Sequence, residues 1–359
     1  MDPLPASDTL GSRRRCSSLK TWGKTVEQAR LPGGWSTLLA ANDFVCGIEI
    51  GGRGQRVVVA DGAGRIVGQA RSIDSMAPAP GVLETVKDLI DQACGSAGVD
   101  LEHVVRAGIA FGGPVDVERG LTLLSHRAPG FENFPLVNLI EEHLSVATVM
   151  DNSARAAALG ESVYGAARGA TDVVYVHLGT GVGGGIIVDG RLLHGASSTA
   201  GEFGHMVVST GGPICSCGKP GHLEAYAAAP AIVARFRQRL EIEASIDLDR
   251  WSNPKSITVR SIFDAARQGD PAAADVVSET VQVLGLAIAN LITTLNPAAV
   301  IVGGLVSDVG SLLMDPLSAR VRQYSFPSAA RRVRLTISQL GPDATVLGAV
   351  ALALQSLRS

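Results

Sequence analysis

Two stretches of the sequence repeat one arrangement: an apolar strand, a glycine turn, a second apolar strand and a second turn. The first is FVCGIEIGGRGQRVVVADGAG, starting at Phe44, and the second is DVVYVHLGTGVGGGIIVDG, starting at Asp172. A glycine turn between apolar strands predicts a β-hairpin that opens a sheet. Because the unit occurs twice, we expect two similar α/β lobes that face each other across a cleft.

Length and composition agree with this architecture. The chain has 359 residues, enough for two domains, and its 46% hydrophobic content with 4% aromatic residues and 42 glycines is typical of a turn-rich α/β protein. The net charge of −3 gives no general basic face for nucleic acid. No apolar run approaches the roughly 20 residues of a membrane span, and the N-terminus lacks a signal-peptide core. We therefore expect a soluble, cytoplasmic protein without a membrane partner.

Changes in composition along the chain suggest its domain boundaries. Residues 1–43 are rich in Ser, Pro, Gly and Arg, which predicts a disordered extension whose basic run GSRRRCSSLK is solvated rather than bound to nucleic acid. We expect an N-terminal lobe over residues 44–154 and a C-terminal lobe over 155–343. A helical pattern at about 344–357 is expected to pack back on the N-terminal lobe.

Glycine-rich turns provide candidate nucleotide contacts. Backbone N–H groups at such turns, and a hydroxyl such as that of Thr180, are suited to an anionic phosphate. A further pair of glycines follows the buried strand AAVIV and offers a close-approach surface for adenine or ribose. The candidate nucleotide-binding residues are Gly51, Gly52, Arg53, Gly179, Thr180, Gly181, Gly303 and Gly304.

The loop over residues 201–226 has the spacing of a metal site. His205, Cys215, Cys217 and His222 offer two nitrogens and two thiolates within eighteen residues. This mixture of ligands selects tetrahedral zinc, and a complete set of four predicts a structural ion. The five cysteines of the chain are too few for a disulfide framework. Glu202 and Glu224 bracket the loop, where rigid carboxylates can accept hydrogen bonds from vicinal hydroxyls.

Seven motifs together resemble the ROK family (repressors, open reading frames, kinases) within the actin-like ATPase fold. In chain order they are GIEIGG, FGGPVD, DNSARAAALGE, LGTGVGGG, GEFGHM, CSCGKPGHLE and NPAAVIVGG. The resemblance implies a duplicated ribonuclease H-like fold with two lobes, ATP and Mg²⁺ at the glycine turns, and often a homo-oligomer. It also implies the zinc set above, with His222 where the family commonly has a third Cys. The sugar contacts that it implies are Asn152, Glu202, His205 and Glu224.

The sequence departs from the family pattern where the reaction would occur. Ser153 stands where the family has the aspartate that takes the proton from the attacking sugar hydroxyl. Glu49 replaces the usual Asp of the first phosphate loop, and Arg53 and Gly54 occupy its following positions. Asp151, two residues upstream of Ser153, is a candidate substitute base. Serine at the start of a helix is also a good N-cap, so we expect the local fold to survive.

Three interpretations follow from these residues. The first is an ATP-dependent kinase for a hydroxyl of a sugar or sugar-like cyclitol. The second is a catalytically silent sugar-binding sensor, favoured by Ser153, Glu49 and Arg53, although the first 43 residues supply no winged helix-turn-helix. The third is an enzyme that uses the sugar pocket for another reaction, with Arg53 gripping a substrate phosphate. The kinase interpretation is preferred.

Overall fold

The computed structural model describes residues 39–40, 42–74, 77–125, 128–242, 251, 253–304 and 308–357. The expected disordered extension over residues 1–43 lies almost wholly outside the described residues, so it stays a prediction.

Twelve strands and ten helices form the described part of the chain. The strands are β1 Phe44–Gly51, β2 Gly54–Asp61, β3 Ile66–Ser72, β4 Val104–Phe111, β5 Val115–Asp116, β6 Leu121–Thr122, β7 Thr148–Asn152, β8 Val173–Leu178, β9 Val182–Val188, β10 Arg191–Leu192, β11 Ala299–Gly303 and β12 Arg334–Ile337. The helices are α1 Ala79–Ala97, α2 Leu136–Leu144, α3 Ser153–Val163, α4 Glu224–Ala227, α5 Ala229–Ile242, α6 Val259–Arg267, α7 Pro271–Leu295, α8 Ser311–Tyr324, α9 Pro327–Ala330 and α10 Ala344–Ser356.

The two larger sheets have the same topology. The order is β3-β2-β1-β4-β7 in one and β10-β9-β8-β11-β12 in the other. In each sheet the first three strands are antiparallel and the last two join in parallel. This duplication confirms the two-lobed α/β architecture expected from the repeated strand–glycine turn–strand unit. The carboxyl ends of β1 and β8 are the two glycine turns, so each lobe carries one turn at an equivalent place.

Helices α3 and α10 pack closely against each other beside the first sheet. Val346 and Val350 of α10 lie in one buried cluster with Val45 of β1 and Val58 of β2. A Cβ atom on Gly348 would collide with the carbonyl oxygen of Ala156, so only glycine permits this crossing. The domain boundary expected between residues 154 and 155 falls inside α3, which begins at Ser153.

Helix α7 is long and apolar because it fills the core of the second lobe. By length and composition it resembles a membrane span, with a mean hydropathy of 1.5 over 18 residues. In the fold, 61% of that window is buried. Leu284 and Ile288 share one core cluster with Val176 of β8 and Val302 of β11, as is typical of a core helix in an α/β lobe.

The carboxylate of Glu161, near the end of α3, forms hydrogen bonds with residues 338–340, which precede α10. Glu161 is fully buried. Its Oε1 accepts hydrogen bonds from Ser338 Oγ at 2.5 Å and Leu340 N at 2.9 Å, and its Oε2 accepts one from Ala166 N at 2.7 Å. A buried carboxylate with these partners compensates for its loss of hydration.

Replacing Glu161 with alanine should therefore destabilise the protein by about 3 kcal/mol, because the buried Ser338 hydroxyl and at least two part-buried backbone N–H groups lose their partner. Urea unfolding followed by circular dichroism measures this. Glu142 on α2 is exposed, so Glu142→Ala provides the control and should change the free energy of unfolding by less than about 0.5 kcal/mol. A Glu161→Ala protein as stable as this control would contradict the role assigned to the carboxylate.

Candidate functional site

The first glycine turn, residues 51–54, connects β1 to β2. Gly54 has φ +103°, and a Cβ there would collide with the backbone oxygen of Ser72, so the turn requires glycine. Arg53 is half-exposed. Its Nη2 lies 4.0 Å from Glu49 Oε1 and donates to Pro342 O at 3.4 Å. The side chain of Arg53 therefore lies over the turn, beside the segment that leads into α10.

Glu49 is held by arginines in this structure. Arg56 Nη2 lies 3.1 Å from Glu49 Oε2, and Arg56 Nη1 lies 2.6 Å from Asp343 Oδ1. Burial raises the pKa of Glu49 and outweighs the opposing effect of the Arg56 and Arg53 guanidinium groups. A buried carboxylate already paired with a cation is a poor ligand for Mg²⁺, which prefers free carboxylate oxygens.

The second glycine turn, residues 179–181, lies between β8 and β9. Gly179 N donates to Gly181 O at 2.9 Å, and the carbonyl oxygen of Gly179 accepts from Ala229 N, at the start of α5, at 2.8 Å. The start of a helix beside a glycine turn favours an anion. Thr180 in this turn is exposed.

The further pair of glycines, Gly303 and Gly304, lies next to this turn. Gly303 at the end of β11 is opposite His177 of β8, and Gly304 has φ +90° with its Cα against the backbone of Leu178. The fold therefore brings together five candidate nucleotide contacts of the C-terminal lobe. They are Gly179, Thr180, Gly181, Gly303 and Gly304. The others, Gly51, Gly52 and Arg53, lie on the N-terminal lobe.

The N-cap of α3, where the helix follows β7, is Asn152 and not Ser153. Asn152 Oδ1 accepts hydrogen bonds from Ala154 N at 2.8 Å and Arg155 N at 3.4 Å, and its Nδ2 donates to Gly113 O at 3.0 Å. The expectation that Ser153 caps the helix is wrong, because the amide one residue earlier already satisfies the first N–H groups. Ser153 is the first helical residue and is partly buried.

Asp151 is buried, with 1% of its surface exposed, and both of its carboxylate oxygens are engaged. Oδ1 accepts from Arg155 Nε at 2.5 Å and from Asn152 N at 2.7 Å. His194 Nε2 lies 2.8 Å from Oδ2. This geometry argues against Asp151 as a substitute base, because a general base needs a free lone pair within reach of the substrate hydroxyl.

Glu224 connects the loop over residues 201–226, which carries the candidate metal ligands, to the start of β9 beside the second glycine turn. Its Oε1 accepts from Ser216 Oγ at 2.5 Å and from Cys215 Sγ at 3.5 Å, while Oε2 accepts from Val182 N at 3.0 Å. Burial tends to raise the pKa of Glu224, but these hydrogen bonds outweigh it and lower the pKa. Glu224 is therefore an ionised acceptor at neutral pH.

The other two candidate sugar contacts lie in one short turn. Glu202 directly precedes the 3₁₀ turn Phe203–His205 and is partly buried, and His205 at its end is exposed. Both belong to the loop over residues 201–226 that carries the candidate metal ligands.

The four candidate metal ligands converge. The donor atoms of His205, Cys215, Cys217 and His222 all lie within 4.8 Å of one another. Cys215 Sγ is 3.7 Å from His205 Nδ1, and Cys217 Sγ is 3.2 Å from His222 Nδ1. Ligands on one tetrahedral zinc ion are about 3.6 Å apart by the usual Zn–S and Zn–N lengths. Two thiols and two imidazoles at this separation fit zinc.

Sequence reasoning did not identify four residues that shape this site: Arg56, Arg155, His194 and Ser216. Arg155 had no local signal, because Asp151 lies on β7 and Arg155 on α3, so the helical i,i+4 rule does not apply to the pair. The Arg56–Asp343 pair joins residues 287 positions apart, so no local pattern indicates it.

Comparison with known proteins places this site in a family. A family model described as "ROK family" matches residues 45–356. A glucokinase from Halalkalibacterium halodurans is 34% identical over 310 residues, which cover 84% of this chain and 92% of that protein. The solved structure of a ROK family glucokinase from Streptomyces griseus, in complex with glucose and AMPPNP, has a TM-score of 0.73 and 34% identity and covers 87% of this chain and 99% of that one. The solved structure of a ROK family transcriptional regulator, a homologue of the Escherichia coli Mlc protein, has a TM-score of 0.78 and 26% identity. The match covers 88% of this chain and 79% of that one.

Proposed function

Because the chain belongs to the ROK family, whose solved kinases share its actin-like ATPase fold, we propose that it is an ATP-dependent kinase that phosphorylates a hydroxyl of a sugar or sugar-like cyclitol. The observation that carries the proposal is the position of Glu224. One oxygen of this candidate sugar contact accepts the N–H of Val182, the first residue of β9, directly after the second glycine turn. A sugar held by Glu224 therefore lies next to a phosphate held by that turn, as phosphoryl transfer requires.

The residues of the chain would have the following roles in this reaction. The glycine turns would hold the phosphates of ATP, and Mg²⁺ would neutralise charge on them during transfer. Asn152, Glu202, His205 and Glu224 would orient the sugar. Ser153, at the start of α3, would lie beside the attacking hydroxyl, where its neutral side chain cannot take up a proton as a carboxylate does.

We also propose a structural zinc ion held by His205, Cys215, Cys217 and His222. Such an ion would fix the loop that carries both His205 and Glu224. A cytoplasmic location and assembly into a homo-oligomer are further parts of the proposal, supported by the family. Nothing in its net charge of −3 favours nucleic acid as a partner.

A second candidate function is a catalytically silent sugar sensor. Two features favour it: the neutral side chain of Ser153 in place of a base, and the pairing of Glu49 with Arg56 at 3.1 Å. Both affect the phosphate side and leave the sugar side intact. The sensor would bind sugar and would not turn over ATP.

A coupled assay of ADP release distinguishes the two functions. The purified chain is incubated with ATP, Mg²⁺ and a panel of hexoses and cyclitols, and binding of each sugar is measured by calorimetry. Sugar-dependent ADP release supports the kinase. Sugar binding without ADP release, in both the wild type and Ser153→Asp, supports the sensor.

Replacing Glu224 with glutamine should weaken sugar binding by about 10- to 100-fold, because one accepting oxygen becomes an amide donor and leaves a sugar hydroxyl unpaired. Calorimetry with a sugar that the wild type binds measures the change. Glu241→Gln, on the exposed surface of α5, is the matched control and should bind as the wild type does. Unchanged affinity in Glu224→Gln would remove this residue from the sugar site.

A further inference from the structure

Arg155 is a buried arginine that links the end of β7 to the segment of residues 194–202. It has 1% of its surface exposed. Its Nε donates to Asp151 Oδ1 at 2.5 Å, and its Nη1 donates to Ser198 O at 2.7 Å and approaches Ala200 O at 3.5 Å. One guanidinium therefore fixes two carbonyl groups of the segment to a buried carboxylate.

The same segment is attached to Asp151 a second time. His194 Nε2 lies 2.8 Å from Asp151 Oδ2, and Ala200 N donates to the carbonyl oxygen of His194 at 3.0 Å. Asp151 thus contacts one end of the turn of residues 194–200 directly, through His194, and binds Arg155, which contacts the other end. A charged group buried with several polar partners fixes geometry more than it adds stability, because desolvation offsets much of the attraction.

The backbone of the segment is strained at the residue that Arg155 holds. Ser198 has φ +56°, a left-handed conformation that non-glycine residues seldom adopt. Such a conformation persists where surrounding contacts determine it, and it is frequent at ligand clamps. The hydrogen bond from Arg155 to the Ser198 carbonyl is one such contact.

The segment leads directly into a candidate sugar contact. Glu202 N donates to Thr199 O at 3.3 Å, and Phe203 N donates to Gly201 O at 2.7 Å. Residues 198–202 therefore form a compact turn, and the positions of the Ser198 and Ala200 carbonyls determine where the backbone of Glu202 lies.

We propose that Arg155, oriented by Asp151 and supported by His194, is a positioning residue that sets the sugar-binding geometry of Glu202. This inference rests on the proposed sugar-binding function. It gives Asp151 a structural role in place of a catalytic one. It also gives a reason for the buried ion pair of Asp151 and Arg155: the carboxylate and guanidinium define the position of a strained turn.

The test uses Arg155→Lys, which keeps the positive charge next to Asp151 but loses the Nη1 hydrogen bond to Ser198 O. Amide hydrogen exchange of residues 194–202 should become at least about tenfold faster, because the turn loses a fixed carbonyl. The dissociation constant for glucose, the probe, should rise about tenfold. Arg334→Lys is the matched control, since Arg334 Nη2 also donates to a backbone oxygen, that of Ala166, at 2.6 Å. It should change neither measurement.

His194→Ala keeps the experiment decisive if Arg155→Lys does not fold. The His194 side chain is 36% exposed, so its removal leaves little cavity, and we expect smaller changes in the same direction. Unchanged exchange of residues 194–202 overturns the inference, and so does faster exchange with an unchanged glucose affinity. If the wild type binds no sugar, the proposed function fails, whereas the exchange measurement still decides whether Arg155 fixes the turn.

Discussion

Replacing Ser153 with aspartate is expected to raise the rate of ATP-dependent sugar phosphorylation by about 10²-fold or more, within the 10²–10⁴ range that a general base contributes. The wild type offers a neutral hydroxyl at this place. The nearest carboxylate in sequence, Asp151, has both oxygens engaged by Arg155 and His194. A new carboxylate at position 153 would stand at the start of α3, where a negative charge is also favourable to the helix.

The measurement is a coupled ADP assay with a sugar already shown to bind. Ser153→Asn is the matched control, because it has the size of aspartate without its basicity, and its rate should stay at the wild-type level. Absence of sugar-dependent turnover in wild type, Ser153→Asp and Asp151→Asn would remove the kinase hypothesis. Brisk wild-type turnover that Asp151→Asn abolishes in a folded protein with unchanged sugar affinity would show instead that Asp151 is the base.

Replacing Cys215 with serine should remove about one zinc ion per chain and lower the melting temperature by about 10 °C, since zinc affinity is coupled to folding. Sugar binding should be lost as well. Cys215 Sγ lies 3.7 Å from His205 Nδ1 and 3.5 Å from Glu224 Oε1, so a disordered loop would misplace two candidate sugar contacts.

Elemental analysis and calorimetric unfolding measure these effects. Cys94→Ala is the control for metal content, because Cys94 is a buried thiol of α1 outside the ligand set, and it should keep all of the zinc. A Cys215→Ser protein with full metal content and unchanged melting temperature would show that the four donors do not hold a structural ion.

The fold was predictable where local patterns determine it. The hairpins β1–β2 and β8–β9 follow from the repeated strand–glycine turn–strand unit, and α10 follows from the helical pattern at about residues 344–357. The zinc set was predictable as a candidate because its four donors lie within eighteen residues.

Contacts between distant segments were not predictable. In the sequence, Arg155 is one polar residue in an alanine-rich helix. Its partners Ser198 and Ala200 come within reach only when α3 packs against the second sheet. Ser216 lies between two cysteines in a loop, and its hydrogen bond to Glu224 requires that loop to close. In both cases the missing information is tertiary, since the sequence separations of 43 and 8 residues contain no periodic signal.

The return of α10 to the first sheet has a consequence for biosynthesis. Val45 and Val58 are covered by Val346 and Val350, so the N-terminal lobe lacks one wall of its core until α10, Ala344–Ser356, has been synthesised. On the ribosome its sheet would present an apolar face throughout that interval, with a corresponding risk of aggregation. We expect the two lobes to reach their native state together, late in translation, rather than one after the other.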